Sequence, residues 1–196
     1  MNWTSKLNIT HKLTIGILIG IIVGSVSGYT LSEEETVVNS LVDSYVYLKQ
    51  FGNFFELTYY TFFPMLIVLI LNFFDGFSVL TGFIKYIISF CVGTAVGTMA
   101  TLIYKLCNNG IYYALFIFLP FAVLFSAVII LSLRESHKLS SMCYKILFND
   151  IYPEEKEKVF KEYIIKLILL LSVSFILSLL NAVINCIFFK FFSLFD

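Results

Sequence analysis

Cys143 and His137 have the chemistry of a nucleophile and a base, and membrane-embedded cysteine peptidases use such a pair. A catalytic cysteine needs a base beside it and a third group that orients the base. Six residues apart on one helix, the two side chains would lie on roughly opposite faces. We therefore expect both residues to pack at the membrane interface, and we predict no catalytic residue.

Glutamates at 33–35 and at 154–155 could supply the paired carboxylates of an intramembrane peptidase. Those enzymes follow the pair with an arginine and hold the carboxylates within a span. Neither run has the arginine at the needed place, and neither lies in an apolar stretch. Acidic side chains stabilise the positive N-terminal end of a helix, so the sequence predicts helix capping for both runs.

Asp75 and Lys85 flank apolar sequence and raise the alternative of an ion-pair relay in a transporter, because ionisable residues inside a membrane usually serve function. Asp75-Gly76 is, however, a typical turn dipeptide, and Lys85 can extend its side chain to the lipid headgroups. We predict a short inner turn at 75–85 with structural roles for both residues.

Metal and cofactor sites are not expected. The four cysteines are widely spaced, without the C-x-x-C spacing of a metal or redox motif, and are predicted to be small buried hydrophobes: Cys91, Cys107, Cys143 and Cys186.

The composition indicates that lipid surrounds most of the chain. Hydrophobic residues form 59% of the 196 residues and charged residues 13%, whereas an ordinary soluble domain has about 25% charged residues. The 13 basic and 13 acidic residues balance, which removes the case for nucleic acid as a partner. We predict an integral membrane protein.

Five apolar stretches approach or exceed the roughly 20 residues that a helix needs to cross a bilayer. They predict an all-α bundle of about five transmembrane helices, with residues 1–196 as one membrane domain and spans at 13–31, 58–74, 86–104, 111–133 and 167–189. We expect the first span to be an uncleaved anchor rather than a signal peptide cut after Ser25 or Ser27.

The distribution of basic residues predicts that the N-terminus lies in the cytoplasm, because cytoplasmic loops retain an excess of Lys and Arg. Most of these residues lie in the N-terminal tail and between spans four and five. Arg134, Lys138 and Lys145 are predicted as anchors at the cytoplasmic interface.

Amphipathic segments are predicted at 33–50, 134–149 and 153–166. In the first, a capping box precedes an external helix. In the second, apolar residues at helical spacing predict an interfacial helix, with the chain turning at Arg134 to run along the headgroups. The third begins at Pro153, a residue suited to the first helical position, and leads without a break into span five.

Small and amide side chains predict where helices pack. Gly93 and Gly97 form a small-xxx-small face in span three, with Gly82 before it, and allow close helix contact. Asn181 and Asn185 lie one turn apart in span five and should hydrogen-bond to a neighbouring helix, in this chain or in a partner.

Proline interrupts spans two and four at Pro64 and Pro120. Each frees a backbone carbonyl that a neighbour or a local distortion must satisfy. A kink is the expected result at both positions.

Three stretches of the sequence match a known family of membrane proteins: GFIKYIISFCVGTAVG (82–97), NNGIYYALFIFLPFAVLFSAVIILSL (108–133) and IIKLILLLSVSFILSLLNAVI (164–184). Through them the chain resembles the stage II sporulation protein M family over roughly residues 10–194. Gly110 and Leu119-Pro120 match the glycine and the Leu-Pro pair of the family's fourth span. Many relatives have a histidine, a glycine and then a glutamate after that proline, whereas Phe121, Ala122 and Val123 follow it here.

This resemblance implies a non-enzymatic scaffold in the cell membrane that recruits peptidoglycan hydrolases to the sporulation septum during engulfment. Its expected partners are membrane lipid and other membrane or septal proteins, and a homo-oligomer stays open. One alternative is the permease subunit of an ABC-type transporter, with 134–166 as its coupling segment; a membrane-embedded peptidase is the other. A transporter should show a polar path through the spans, with candidates at Thr94, Thr98, Thr101, Ser126, Ser172, Ser174, Asn181 and Asn185.

Overall fold

The computed structural model describes residues 3–31, 52–78, 83–106, 110–148 and 153–188. These residues form α1 (Trp3–Leu31), α2 (Phe54–Phe77), α3 (Ile84–Leu106), α4 (Gly110–Tyr113), a π-helix (Ala114–Phe118), α5 (Leu119–Phe148) and α6 (Pro153–Phe188). The described ranges contain helices and no strand. The predicted external segment at 33–50 and the predicted interface residue Gly82 lie outside them.

Five of the described helical stretches are long and apolar enough to cross a membrane: Ile9–Leu31, Phe54–Phe77, Ile84–Lys105, Gly110–Tyr144 and Glu157–Ile187. Large apolar side chains cover their outer surfaces, including Ile22, Phe74, Phe116 and Ile165. This is the surface expected where lipid surrounds a bundle. The prediction of an all-α bundle of five spans is confirmed.

The bundle consists of a closely packed pair, α1 with α3, and a group formed by α2, α5 and α6. Contacts of α3 and α1 with α5 join the two parts. A buried apolar cluster connects α1 with the group through Leu13, Met65, Leu69, Val128, Ile129, Leu133 and Leu170. Every spanning helix except α3 contributes a buried residue to this cluster, while Ile88 and Val92 of α3 pack against it.

The fourth span is built around Pro120. The helix changes from α to π geometry over Ala114–Phe118, and the N–H of Leu119 donates to the carbonyl of Ala114. A π turn inserts one residue into the helix and so accommodates the hydrogen bond that proline cannot make. A local distortion of the kind expected near Pro120 is therefore present.

The turn predicted at Arg134 is wrong, because α5 continues without a break to Phe148. Ser136, Leu139 and Ser140 are buried in this extension. Ser140 donates a hydrogen bond to the carbonyl of Ser78 over 2.7 Å, which fastens the extension to the end of α2. Packing against α2 therefore stabilises a continuous helix at 134–138, where the charges suggested a turn.

The prediction for 153–166 is confirmed, since α6 begins at Pro153 and runs unbroken into the last span. Lys161 pairs with Glu157 over 2.6 Å at the expected i, i+4 spacing. The cysteine prediction is wrong at two positions: Cys91 and Cys186 are exposed, while Cys143 is half-buried. Cys107 lies outside the described residues. In a bundle surrounded by lipid, a small apolar side chain is as compatible with the outer surface as with the core.

Candidate functional site

The candidate site is a charged cluster at one end of the bundle, which consists of Asp75, Lys85, Glu135, Ser136, Lys138 and Lys166. We call this end inner, because the distribution of Lys and Arg predicts that it faces the cytoplasm. Four helices contribute to it: α2, α3, α5 and α6.

The centre of the charged cluster is a buried ion pair. The Nζ of Lys85 lies 3.2 Å from the Oδ2 of Asp75, although the two residues are only 1% and 7% exposed. Ser136 donates a hydrogen bond to the same Oδ2 over 3.1 Å. The carboxylate thus joins α2 to both α3 and α5.

The bounds predicted for the turn, 75–85, are therefore too wide, and the prediction that Lys85 extends to the headgroups is wrong. Asp75 and Gly76 belong to the last turn of α2, which ends at Phe77, and Lys85 belongs to the first turn of α3. A charge inside a bundle is tolerated when an opposite charge and hydrogen bonds surround it. Because Asp75 and Lys85 satisfy each other, both helices extend past the boundaries that their charges suggested.

Glu135 forms the second part of the charged cluster. Its Oε1 accepts hydrogen bonds from the Nε and Nη2 of Arg134, at 3.3 and 3.1 Å, and forms an ion pair with Lys138. Its Oε2 lies 3.2 Å from the Nζ of Lys166 on α6. The predicted anchors Arg134 and Lys138 are thus directed at a buried carboxylate in the same chain. The side chain of Lys145 lies outside the described part.

Tyr163 and Gly76 close the cluster between α2 and α6. The Tyr163 hydroxyl lies 3.2 Å from the carbonyl oxygen of Asn72 and donates to it. A Cβ on Gly76 would lie 2.9 Å from this hydroxyl, so a larger residue would displace the tyrosine. Asn72 is fully buried and donates to the Oγ of Ser132 over 3.3 Å. These contacts fix the inner ends of three helices.

A second polar cluster, the amide cluster, lies near the opposite end and consists of Thr61, Tyr113, Asn181 and Asn185. The Tyr113 hydroxyl donates to the Oδ1 of Asn185 over 2.8 Å. The Nδ2 of Asn185 donates to the Oδ1 of Asn181 over 2.8 Å, and the Nδ2 of Asn181 donates to Thr61 over 3.3 Å. Both asparagines thus bond with neighbouring helices of the same chain.

Gly93 and Gly97 lie against α1 in what we call the glycine interface. Its other members are Gly16, Gly20, Gly24 and Gly28 of α1, four residues apart. A Cβ on either α3 glycine would collide with backbone atoms, at Ile17 for Gly93 and at Ile21 for Gly97. The α1 glycines were missed at the sequence level, although their regular spacing was a visible signal.

The sequence also missed Tyr113, Ser136 and Tyr163. Hydroxyl groups of this kind are common in membrane helices, and their partners lie 61 to 91 positions away in the chain. Neither their type nor their local spacing distinguished them from other tyrosines and serines.

The positions of His137 and Cys143 do not favour a peptidase. His137 and Cys143 are both half-buried on α5, and six residues separate them along the axis by about 9 Å. In the part of the chain that the structure describes, no group of three histidine, cysteine or acidic residues could hold a metal ion.

Most of the candidate residues for a polar path form hydrogen bonds within the chain. Thr94, Thr101 and Ser172 each donate to the carbonyl four residues earlier in their own helix, as helical hydroxyls commonly do. Thr98 instead donates to the Gly24 carbonyl of α1 over 3.0 Å. On α2, the buried apolar residues Met65 and Leu69 lie between the amide cluster and the charged cluster.

Searches against protein-family models, curated proteins and solved structures found no match to this chain. The class that the fold defines is a multi-pass α-helical membrane bundle in which the described polar side chains bond with backbone carbonyls and with other side chains of the same chain.

Proposed function

We propose that this protein is a non-enzymatic membrane scaffold, similar in role to stage II sporulation protein M, which recruits peptidoglycan hydrolases to the sporulation septum. The observation that supports the proposal is the intrachain use of polar groups. The buried charges at the inner end neutralise one another, and the asparagines near the outer end bond within the chain. Such groups hold helices in fixed positions, which is what a scaffold needs.

The partner-binding part of the proposal differs from the simplest expectation. Gly93, Gly97, Asn181 and Asn185 were natural candidates for faces presented to partners, but each contacts another helix of this chain. In this proposal, partners bind the outward surfaces of the bundle and the segment 33–50, which the sequence predicts to be external. The fixed helix positions would keep those surfaces in a constant arrangement.

The test is affinity purification of the tagged chain in mild detergent from its own cells, with mass spectrometry of the co-purified proteins. Growing and sporulating cultures are compared. The scaffold proposal expects peptidoglycan hydrolases that are enriched only during sporulation. An ATPase recovered in near-equal amount under both conditions would contradict it and favour the permease alternative.

A variant pair addresses the peptidase alternative in the same cells. Cys143→Ala should leave septal wall thinning and the set of co-purified proteins unchanged. Cys186 is exposed on α6, so Cys186→Ala is the control and should also leave both unchanged. If Cys143→Ala, but not Cys186→Ala, abolished a peptide cleavage that the unaltered protein supports, a non-enzymatic role would be contradicted.

A further inference from the structure

A cleft opens on the side of the bundle between α2, α3 and α5. Its volume is about 360 Å³, within the range of small-molecule sites. Its floor includes the buried residues Met65 and Ile117, and its rim includes the exposed residues Pro64 and Ala95. The cleft is thus open sideways, toward the surface that lipid covers.

The chemistry of the cleft changes along its length. Most of the lining is aliphatic or aromatic. Thr61, Tyr113 and Asn181 of the amide cluster lie at one end, and Ser126 adds one hydroxyl farther along α5. The residues that line it, all within the described ranges, include hydroxyl and amide groups but no charged side chain. A matching ligand therefore has a long apolar part and an uncharged polar group, such as an ester, at one end.

The position of the cleft selects one source for that ligand. Along α2 the lining runs from Leu57 to Val68, which is about 16 Å of helix. The hydrocarbon core of a bilayer is about 30 Å thick, so the cleft has the length of one leaflet. The polar end lies toward the start of α2, which the predicted orientation places on the outer side.

We propose that the cleft binds one acyl chain of an outer-leaflet glycerophospholipid, with its ester group near Thr61 and Asn181. The π-helix forms part of the wall, since Ile117 and Phe118 line the cleft. The site is separate from the charged cluster and does not depend on the proposed scaffold role. A bound acyl chain fills the space that the side chains of the bundle leave open.

The test uses the purified chain in vesicles of phosphatidylethanolamine and phosphatidylglycerol. A trace of the phosphatidylglycerol carries a photoreactive diazirine midway along one acyl chain, and labelled peptides are mapped by mass spectrometry. Labelling should concentrate on cleft residues such as Met65 and Phe125. Labelling spread evenly over outward residues such as Phe116 and Ile176 would overturn the proposal.

Two variants on α5 give the matched comparison. Ala122 is buried and lines the cleft, whereas Ala127 is exposed on the same helix. Ala122→Phe should reduce the labelling of Met65 severalfold, and Ala127→Phe should leave it unchanged. Equal labelling in both variants would overturn the proposal. If Ala122→Phe does not fold, Ser126→Phe fills the same cleft and carries the same expectation.

A second copy of the chain is the competing occupant. In a background in which alanine replaces the four native cysteines, two of which are exposed, Ala95→Cys places a single thiol at the rim, and oxidation in vesicles would produce a disulfide-linked dimer if the clefts of two copies faced each other. The lipid proposal expects the monomer to persist. A dimer that forms in high yield, together with weak lipid labelling, would contradict it.

Discussion

The glycine interface and the charged cluster both hold α3, but they do so by different physical means. Along α1, backbone atoms of the two helices touch because no Cβ intervenes. At the inner end, Lys85 reaches across to Asp75, and side chains fill the distance between helices. Inside a membrane the first means depends on shape and the second on charge, so different substitutions should disrupt them.

The largest expected effect is the loss of one partner of the buried ion pair. Lys85→Met leaves the Asp75 carboxylate buried beside Ser136 without its cation, and breaking such a pair destabilises a fold by about 3–5 kcal/mol. The free energy of unfolding can be measured by circular dichroism in mixtures of sodium dodecyl sulfate and a mild detergent. Lys161→Met removes the exposed pair with Glu157 and should change the stability little. Equal losses in the two variants would contradict a special role for the buried pair.

The next effect concerns shape. Gly24→Leu puts a side chain where Gly24 meets the backbone of Thr94, and overpacking of this kind costs about 1–3 kcal/mol or more. The same unfolding measurement should show this loss. Val23→Leu, on the outward face of α1, is the control and should have no such effect. If Gly24→Leu and Val23→Leu have the same free energy of unfolding, the close contact of α1 and α3 does not exist in the folded protein.

A smaller difference is expected along the glycine interface itself. A Cβ on Gly16 would approach the Ser89 hydroxyl at 3.0 Å, and this side chain can give way by rotating, at the loss of its hydrogen bond to the Leu13 carbonyl. A Cβ on Gly24 would meet backbone, which cannot. Gly16→Ala should therefore destabilise the bundle less than Gly24→Ala in the same unfolding experiment. The reverse order would show that the interface is looser at Gly24 than at Gly16.

The smallest effect is that of a single hydrogen bond between helices. Thr98→Val removes the bond to the Gly24 carbonyl, and such bonds in membranes contribute about 0.6 kcal/mol on average. Thr101→Val removes only a bond within α3 and serves as the control. The free energy of unfolding should fall by more for Thr98→Val than for Thr101→Val. Identical shifts would mean that Thr98 does not join the two helices.

The sequence was sufficient to predict the spans, because apolar runs of the right length determine them directly. The helices continue past the ends predicted for the spans at Phe74 and Leu133, because the prediction took the next charged residue to lie in water. That assumption fails for Asp75, Lys85 and Glu135, each of which has an opposite charge in the bundle. A single residue type cannot reveal whether a distant helix supplies that charge.

The two polar clusters differ in how far they could be predicted. Asn181 and Asn185 were expected to bond with a neighbouring helix, because an amide facing lipid is costly. Their partners Thr61 and Tyr113 could not be named, since these lie 120 and 72 positions away. The charged cluster was missed as a unit because its members come from four helices whose arrangement follows from the complete fold.

The most direct test of the account is a double-mutant cycle on Asp75 and Lys85, measured as the free energy of unfolding. Asp75→Asn keeps an acceptor for Ser136, and Lys85→Met keeps the length of the side chain. If the pair is a structural link between α2 and α3, the double variant should be more stable than either single variant, because no uncompensated charge remains buried. Losses that simply add in the double variant would contradict this link.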